Sequence, residues 1–249
     1  MPSRGEAVGI VPAAGKGTRL GLPFPKELWP LPGVPGFLPV AQLTVQNMLA
    51  ASVTRLAFVI TDEKAAVIRH FRSGAALGAE IAYVCQEAVS ETSRSAGLSD
   101  ALDAAYSLAR GRHVAFGMPD TLVSPRTCFV PLLAAVEAGA DLALGLFETA
   151  EPEKFGMVDF AEDGRVRAVV DKPASTDLDW MWGIAAWSAA FGDFLHRTMA
   201  EAPTDFAGVM NAALEAGLDA RALAVDGGRY LDLGTPGDVG RAGEFTLGD

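Results

Sequence analysis

The chain has 249 residues, enough for one large α/β domain or two small ones, and half of them are hydrophobic, so a sizeable core can be buried. A formal net charge of −11 speaks against nucleic acid as a partner. No apolar run approaches the ~20 residues of a membrane span. Cys85 and Cys128 lie far apart without metal-ligand spacing, and the amino terminus runs straight into a strand pattern, so a reduced, cytoplasmic protein without a secretory leader is expected.

In chain order, Ala7 to Val11 is a short apolar run that reads as a buried strand, and Pro12 ends it. Ala13-Ala14-Gly15-Lys16-Gly17-Thr18-Arg19-Leu20 follows, with glycines where side chains would block a phosphate from backbone N–H groups. Lys16, Arg19 and Lys26 are three cations in a loop whose prolines and glycines forbid an ordinary helix. Bare backbone and converging cations in an acidic protein describe a polyphosphate cradle. A Walker A loop does not fit, because Gly9 and Gly15 are five residues apart and Lys16 is followed by Gly17. A dinucleotide fingerprint fails as well: its third glycine comes one position late, and Pro23 and Pro25 exclude the helix it must open.

Beyond the rigid Pro30–Gly36 loop, Val40 to Ala51 has helical apolar spacing. Arg55 to Thr61 reads as a second buried strand, with Asp62 placed to cap the next helix. Glu80 to Cys85 is a third strand. Residues 86–96 are polar and turn-like, and Gly97 leads into a helix reaching about Arg110. Arg112 to Gly117 is a fourth strand ending at Met118-Pro119-Asp120. A helix from about Arg126 to Ala138 and a strand from Asp141 to Phe147 close a first, mostly parallel half. This alternation predicts βαβ units and a doubly wound sheet with right-handed crossovers.

The second half changes rhythm. Phe155 to Phe160, the turn Asp163-Gly164 and Arg165 to Val170 predict a hairpin, closed by Asp171-Lys172-Pro173. Trp180 to Trp187 reads as a strand, with Trp180 and Trp182 on one face, where core packing or a pocket wall would each explain them. His196 falls on the following helix, Asp205 to Ala216 form another, and Arg221–Val225 and Arg229–Asp232 bring the chain back. Thr235-Pro236 opens a last helix.

Ligands of open α/β sheets sit beyond the carboxyl ends of the strands. Asp120 follows the fourth strand and Asp232 ends a late one, so both carboxylates can meet there and hold Mg²⁺, with phosphate oxygens and water completing the shell. Read singly, Asp120 is equally a turn residue after proline, and Asp232 equally a neighbour of a helix cap.

The ordered motifs resemble those of the sugar-1-phosphate nucleotidylyltransferases that make nucleotide sugars, the glucose-1-phosphate thymidylyltransferase-like enzymes. The resemblance lies in Ala14-Gly15-Lys16-Gly17-Thr18-Arg19-Leu20, Pro25-Lys26-Glu27-Leu28, Phe155-Gly156-Met157-Val158, Asp171-Lys172-Pro173, Trp182-Gly183-Ile184 and Tyr230-Leu231-Asp232-Leu233-Gly234-Thr235-Pro236. The family usually carries Gly-Asp after its fourth strand; here the order is Gly117-Met118-Pro119-Asp120. The resemblance implies a three-layer α/β/α Rossmann-like nucleotide-diphospho-sugar transferase fold with a mostly parallel, mixed sheet. It implies one domain over 1–249, with a nucleotide-binding half to about 150 and a sugar-binding half from about 151 to 234, and no appended β-helix module.

By resemblance, a sugar 1-phosphate attacks the α-phosphorus of a nucleoside triphosphate and releases pyrophosphate. Arg19 and Lys26 are the implied catalytic cations, Arg19 on the β- and γ-phosphates and Lys26 at the α-phosphate. Ala14, Gly15, Gly17, Thr18, Gln86 and Gly97 would bind the nucleotide, Gln86 against the base. Gly156, Asp171, Lys172 and Trp182 would bind the sugar phosphate, and Asp120 and Asp232 the Mg²⁺. None of His70, His113 and His196 is needed. A homo-oligomer is compatible with the resemblance. Two other readings stay open: a cytidylyltransferase acting on a non-sugar alcohol phosphate, and a non-catalytic nucleotide-sugar-binding regulator of the same fold.

Overall fold

The computed structural model describes residues 7–17, 20–32, 36–87 and 97–245. Its centre is a mixed sheet into which the chain feeds strands from both halves. β1 (Val8–Pro12) lies between β2 (Arg55–Ile60) and β4 (Val114–Gly117), parallel to both, and β3 (Glu80–Cys85) extends the parallel side past β2. β1, β4 and β6 (Leu142–Glu148) are wholly or almost wholly buried, which is why they read as continuous apolar runs rather than alternating ones.

β9 (Trp180–Trp187) runs antiparallel between β4 and β6. β10 (Ala220–Ala224) pairs parallel with β6 at the far edge. The predicted hairpin is present as β7 (Gly156–Phe160) and β8 (Val166–Asp171), joined to β9 through Met157 opposite Met181. The expected α/β fold with a mostly parallel mixed sheet is therefore observed, with nine strands in one sheet among the described residues.

Helices cover both faces. On one side α1 (Val40–Ala50), α2 (Ala65–Phe71) and α5 (Phe129–Glu137) pack around Phe58, Met48, Phe129 and Leu132. On the other, α3 (Leu98–Ala104), α4 (Tyr106–Ala109), α6 (Ala189–Glu201) and α7 (Phe206–Glu215) close over Phe116, Leu144, Trp187 and Phe191. Thr235 caps α8 (Pro236–Arg241), accepting from the Asp238 N–H as the Thr-Pro signal predicts.

Two sequence expectations need correction, and one strand was not anticipated. Asp62 does not cap α2; it lies in a 3₁₀ turn (Asp62–Lys64) and its carboxylate accepts from the neighbouring Glu63 N–H. The helix expected from Gly97 to Arg110 breaks at Ala105 into α3 and α4. Thr121 to Ser124, to which the sequence assigns no element, is a strand, β5, which pairs antiparallel with β11 (Arg229–Asp232) in a small second sheet. That pairing organises the site.

Candidate active site

β1 delivers the glycine loop to the carboxyl edge of the sheet, and the Ala13 N–H donates to the Val59 carbonyl at 2.7 Å, keeping the exit aligned with β2. Ala14 is half-buried, while Gly15 and Lys16 are exposed. Gly17 has φ +65°, in the left-handed region where a side chain is strained, and lies against the aliphatic stem of Lys26. The backbone at the cradle therefore stays bare. Thr18 and Arg19, both expected in the nucleotide site, lie outside the described residues.

Lys26 opens a 3₁₀ turn, Lys26–Leu28, closed by donation from the Leu28 and Trp29 N–H groups to the Pro25 and Lys26 carbonyls, each at 2.9 Å. Its ammonium forms an ion pair with the Asp120 carboxylate through Oδ2, a contact between residues 94 positions apart. Burial by itself would lower the Lys26 pKa, but the Asp120 charge and hydrogen bond, with smaller contributions from Glu27 and Asp232, raise it overall. Lys26 is thus a cation held at a partly dry site.

Asp120 is only 2 % exposed. The turn bearing it is fixed from beneath by α1: the Thr44 hydroxyl donates to the Met118 carbonyl at 2.8 Å, and the Asn47 amide donates to the Val123 carbonyl at 2.9 Å. The longer Gly117-Met118-Pro119-Asp120 spacing is absorbed in this turn, and the carboxylate still reaches the edge. In the β5–β11 pair Asp232 stands opposite Thr121, and the Leu233 N–H donates to the Asp120 carbonyl at 3.0 Å. Asp120 and Asp232, more than a hundred residues apart in sequence, are thereby held on adjoining backbone segments, and both charges act on Lys26. Tyr230, on the same strand, has its phenol pKa pushed well above the usual range by burial and by the charges of Asp232 and Asp120.

This pair of carboxylates suits a magnesium ion. Asp120 Oδ1 is buried with no hydrogen-bond partner among the described residues, a cost that a ligand would relieve. No group of three or more ligating side chains occurs among the described residues. Mg²⁺ is commonly held by one or two carboxylates plus phosphate oxygens and water, so Asp120 and Asp232 meet its demand when a polyphosphate is present.

The residues expected around the sugar also converge. Asp171 stands opposite Gly156 across the hairpin, and the Lys172 N–H, at φ +45°, donates to the Phe155 carbonyl at 2.9 Å. Trp182 presses its indole against Gly156 so closely that a methyl there would come within 2.3 Å of Nε1. That Nε1 is buried and has no partner among the described residues. Trp182 also packs on Phe116 and Phe206, so core packing and a pocket wall are combined in one side chain. Phe155 meets Tyr230 edge-on at 5.9 Å, joining this cluster to the Asp232 strand. A cavity of about 420 Å³ opens beside Phe155 and Tyr230, lined also by Asp232 and Met181; Gly156, Asp171, Lys172 and Trp182 do not line it. A larger one, about 500 Å³, lies at the opposite end of the strands against Val8, Arg55 and Glu80, away from these groups.

On the other flank, the Gln86 N–H continues the strand pairing by donating to the Ile60 carbonyl at 2.7 Å, while its side-chain Nε2 is buried without a partner among the described residues. Gly97 stands exposed at the start of α3, where its N–H donates to Asp100 at 2.7 Å. The histidines lie elsewhere: His70 beside Gln42, His196 on Asp103, and His113 just ahead of β4.

The pattern of the nucleotidyl transferase family matches residues 8–248, nearly the whole chain. The chain belongs to the nucleotidyl transferase family. Solved structures similar to this nucleotidyltransferase include a Bacillus anthracis protein assigned as a glucose-1-phosphate thymidylyltransferase, in complex with sucrose. Its TM-score is 0.82 at 19 % identity, over 98 % of each chain. A UDP-glucose pyrophosphorylase from Acinetobacter baumannii has a TM-score of 0.77 at 17 % identity, over 95 % of this chain and 91 % of that one. At such identities the likeness is one of fold. Among curated relatives, the bifunctional protein GlmU of Paracidovorax citrulli is 29 % identical over 168 residues, 68 % of this chain and 33 % of that protein. The match thus spans about a third of that relative's length. No helix among the described residues is long and apolar enough to cross a membrane.

The ion pair of Lys26 with Asp120 and the strand β5 were not read from the sequence. Neither was the buried partner of Glu27, Lys64, which donates to both carboxylate oxygens at 2.9 Å.

Proposed function

We propose that this nucleotidyltransferase moves a nucleotidyl group from a nucleoside triphosphate to a sugar 1-phosphate, giving a nucleotide sugar and pyrophosphate. The observation that carries the reading is the gathering of Lys26, Asp120 and Asp232 beside a bare glycine loop at one sheet edge. Two anions must approach each other, and negative charge builds on the departing pyrophosphate. The site supplies what that requires.

The triphosphate would lie along the Ala14–Gly17 backbone, with Thr18 among the nucleotide-binding residues and Arg19 at the β- and γ-phosphates, where a guanidinium fork suits two oxygens. Lys26 has three ammonium donors and directs one to Asp120. The others can reach an α-phosphate oxygen and stabilise charge as the bond to the leaving group breaks. Asp120 and Asp232 would hold Mg²⁺, which when bound neutralises phosphate charge and fixes the triphosphate for in-line attack. The sugar phosphate is drawn in by Lys172, whose side chain is exposed and currently pairs with Asp171 at 3.1 Å. Gly156 and Trp182 shape the sugar pocket, and Gln86 and Gly97 face the nucleobase. The attacking phosphate oxygen is already ionised, so no general base is required.

The test is pyrophosphate release from a panel of nucleoside triphosphates and sugar 1-phosphates with Mg²⁺. Release with at least one sugar 1-phosphate supports the reading. Release only with non-sugar alcohol phosphates points to the cytidylyltransferase alternative. Nucleotide-sugar binding without turnover points to a regulator.

A further inference from the structure

Beneath the Lys26 turn lies a second ion pair that touches no substrate in the proposed reaction. Glu27 is 0 % exposed and Lys64 3 %, and the two charges sit within hydrogen-bond distance of each other. Withdrawing such a pair from water is costly, and apolar residues of similar size would often serve stability as well or better. Stability alone is therefore a weak reason for charges at this position.

Their place in the chain supplies another. Glu27 shares a single 3₁₀ turn with Lys26, and Lys64 ends the turn that leaves β2 at the same edge of the sheet. Glu27 reaches inward to Lys64 while Lys26 reaches across to Asp120, so the charges Lys64, Glu27, Lys26 and Asp120 alternate in sign. The neighbours are felt electrostatically as well: Glu27 favours the Lys26 cation, and Asp120 disfavours the Glu27 anion, whose pKa burial already raises against the pull of Lys64. A turn this short has two internal hydrogen bonds, too few to fix by themselves where a long lysine side chain starts.

We propose that Glu27 and Lys64 are positioning residues: their buried pair anchors the turn carrying Lys26 to the end of β2 and sets where the Lys26 ammonium is presented. The kinetic consequence rests on the proposed nucleotidyl transfer; the structural one does not.

The experiment compares the full chain with Glu27→Gln, Lys64→Met and the apolar double variant Glu27→Leu/Lys64→Met. Three quantities are read: amide hydrogen exchange at Leu28 and Trp29, kcat for pyrophosphate release, and the Kd for the triphosphate. In the double variant, which keeps a packed interior, exchange at both amides is expected to quicken about tenfold or more. Its kcat should fall roughly 100-fold, the scale of a 1 Å misplacement, with Kd changed less than about threefold. Should the double variant not fold, the near-isosteric Glu27→Gln is held to the same pattern. Wild-type exchange and kcat in a folded variant would overturn the proposal. A loss of kcat without faster exchange would overturn it too, since the pair would then act through charge and not through the turn. If the wild-type chain releases no pyrophosphate from any triphosphate, the reaction fails by itself, and exchange at Leu28 and Trp29 still decides the anchor.

Discussion

Asp232 stands directly opposite Thr121 in the antiparallel pairing of β5 with β11, one residue along from Asp120. Both strands have four residues and pair with each other outside the main sheet. The pair thus serves to clasp a late carboxylate to an early one. If the two act as a unit, Asp120→Asn and Asp232→Asn should each lower kcat by about 10² or more, and the double variant should be little worse than the poorer single one. Multiplying losses in steady-state kinetics would show that the carboxylates work independently.

In the proposed reaction Lys26 is the residue that would separate catalysis from docking. Its ammonium is held as a cation by Asp120, at the place where charge on the α-phosphate would build. Lys26→Ala should reduce kcat by roughly 10²–10³, the scale seen when one preorganised donor to developing charge is lost. Triphosphate binding, followed calorimetrically, should weaken far less. Equal losses in both would mean that the lysine only helps to hold the nucleotide.

Acid should loosen α8 in a predictable window. Burial alone would raise the Asp238 pKa, but hydrogen bonds from Thr235 and the nearby Arg241 bring it below the ordinary 3.8. A carboxylate depressed in the folded state stabilises fully above its unfolded value and loses that contribution as pH falls through the folded one. Thermal melts of wild type and Asp238→Asn should therefore differ by about 1 kcal/mol near neutral pH and converge as pH falls below the ordinary carboxylate value of 3.8. A gap that stays constant below that value would show that Asp238 is not linked to stability through its charge.

The two cysteines should behave differently. Cys128 is buried and its thiol pKa is pushed up to about 12 by that burial, whereas Cys85 is exposed. A thiol-specific reagent at about pH 8 should label Cys85 alone in the native protein and both after unfolding, as judged by mass spectrometry. Native labelling of Cys128 would mean that its helix end opens readily.

Much of the fold was legible because most of the sheet is made of locally recognisable strands. The runs 8–12, 56–60 and 142–147 carry no charged residue and are buried, since both faces of the sheet are covered, and the Asp163-Gly164 turn marks the hairpin. β5 was not legible, because Thr121-Leu122-Val123-Ser124 is short and bounded by prolines nearby, and its strand conformation depends on a partner more than a hundred residues away. For the same reason the sequence could place Lys26 and Asp120 at one edge but could not show their ion pair, which depends on how α1 and β5 hold the Met118-Pro119 turn. Asp62 had the right residue type for a cap, yet the chain first makes a 3₁₀ turn that brings Lys64 inward to Glu27. There the buried charge of Lys64 outranked a local capping preference.

The most direct test of the account is an anomalous-scattering map from crystals grown with Mn²⁺ in place of Mg²⁺ and a non-hydrolysable nucleoside triphosphate. A single manganese peak within about 2.3 Å of carboxylate oxygens from both Asp120 and Asp232, bridging to the triphosphate beside Lys26, is the predicted result. A triphosphate bound with its metal away from either aspartate, or in the cavity at the far end of the strands, would contradict it.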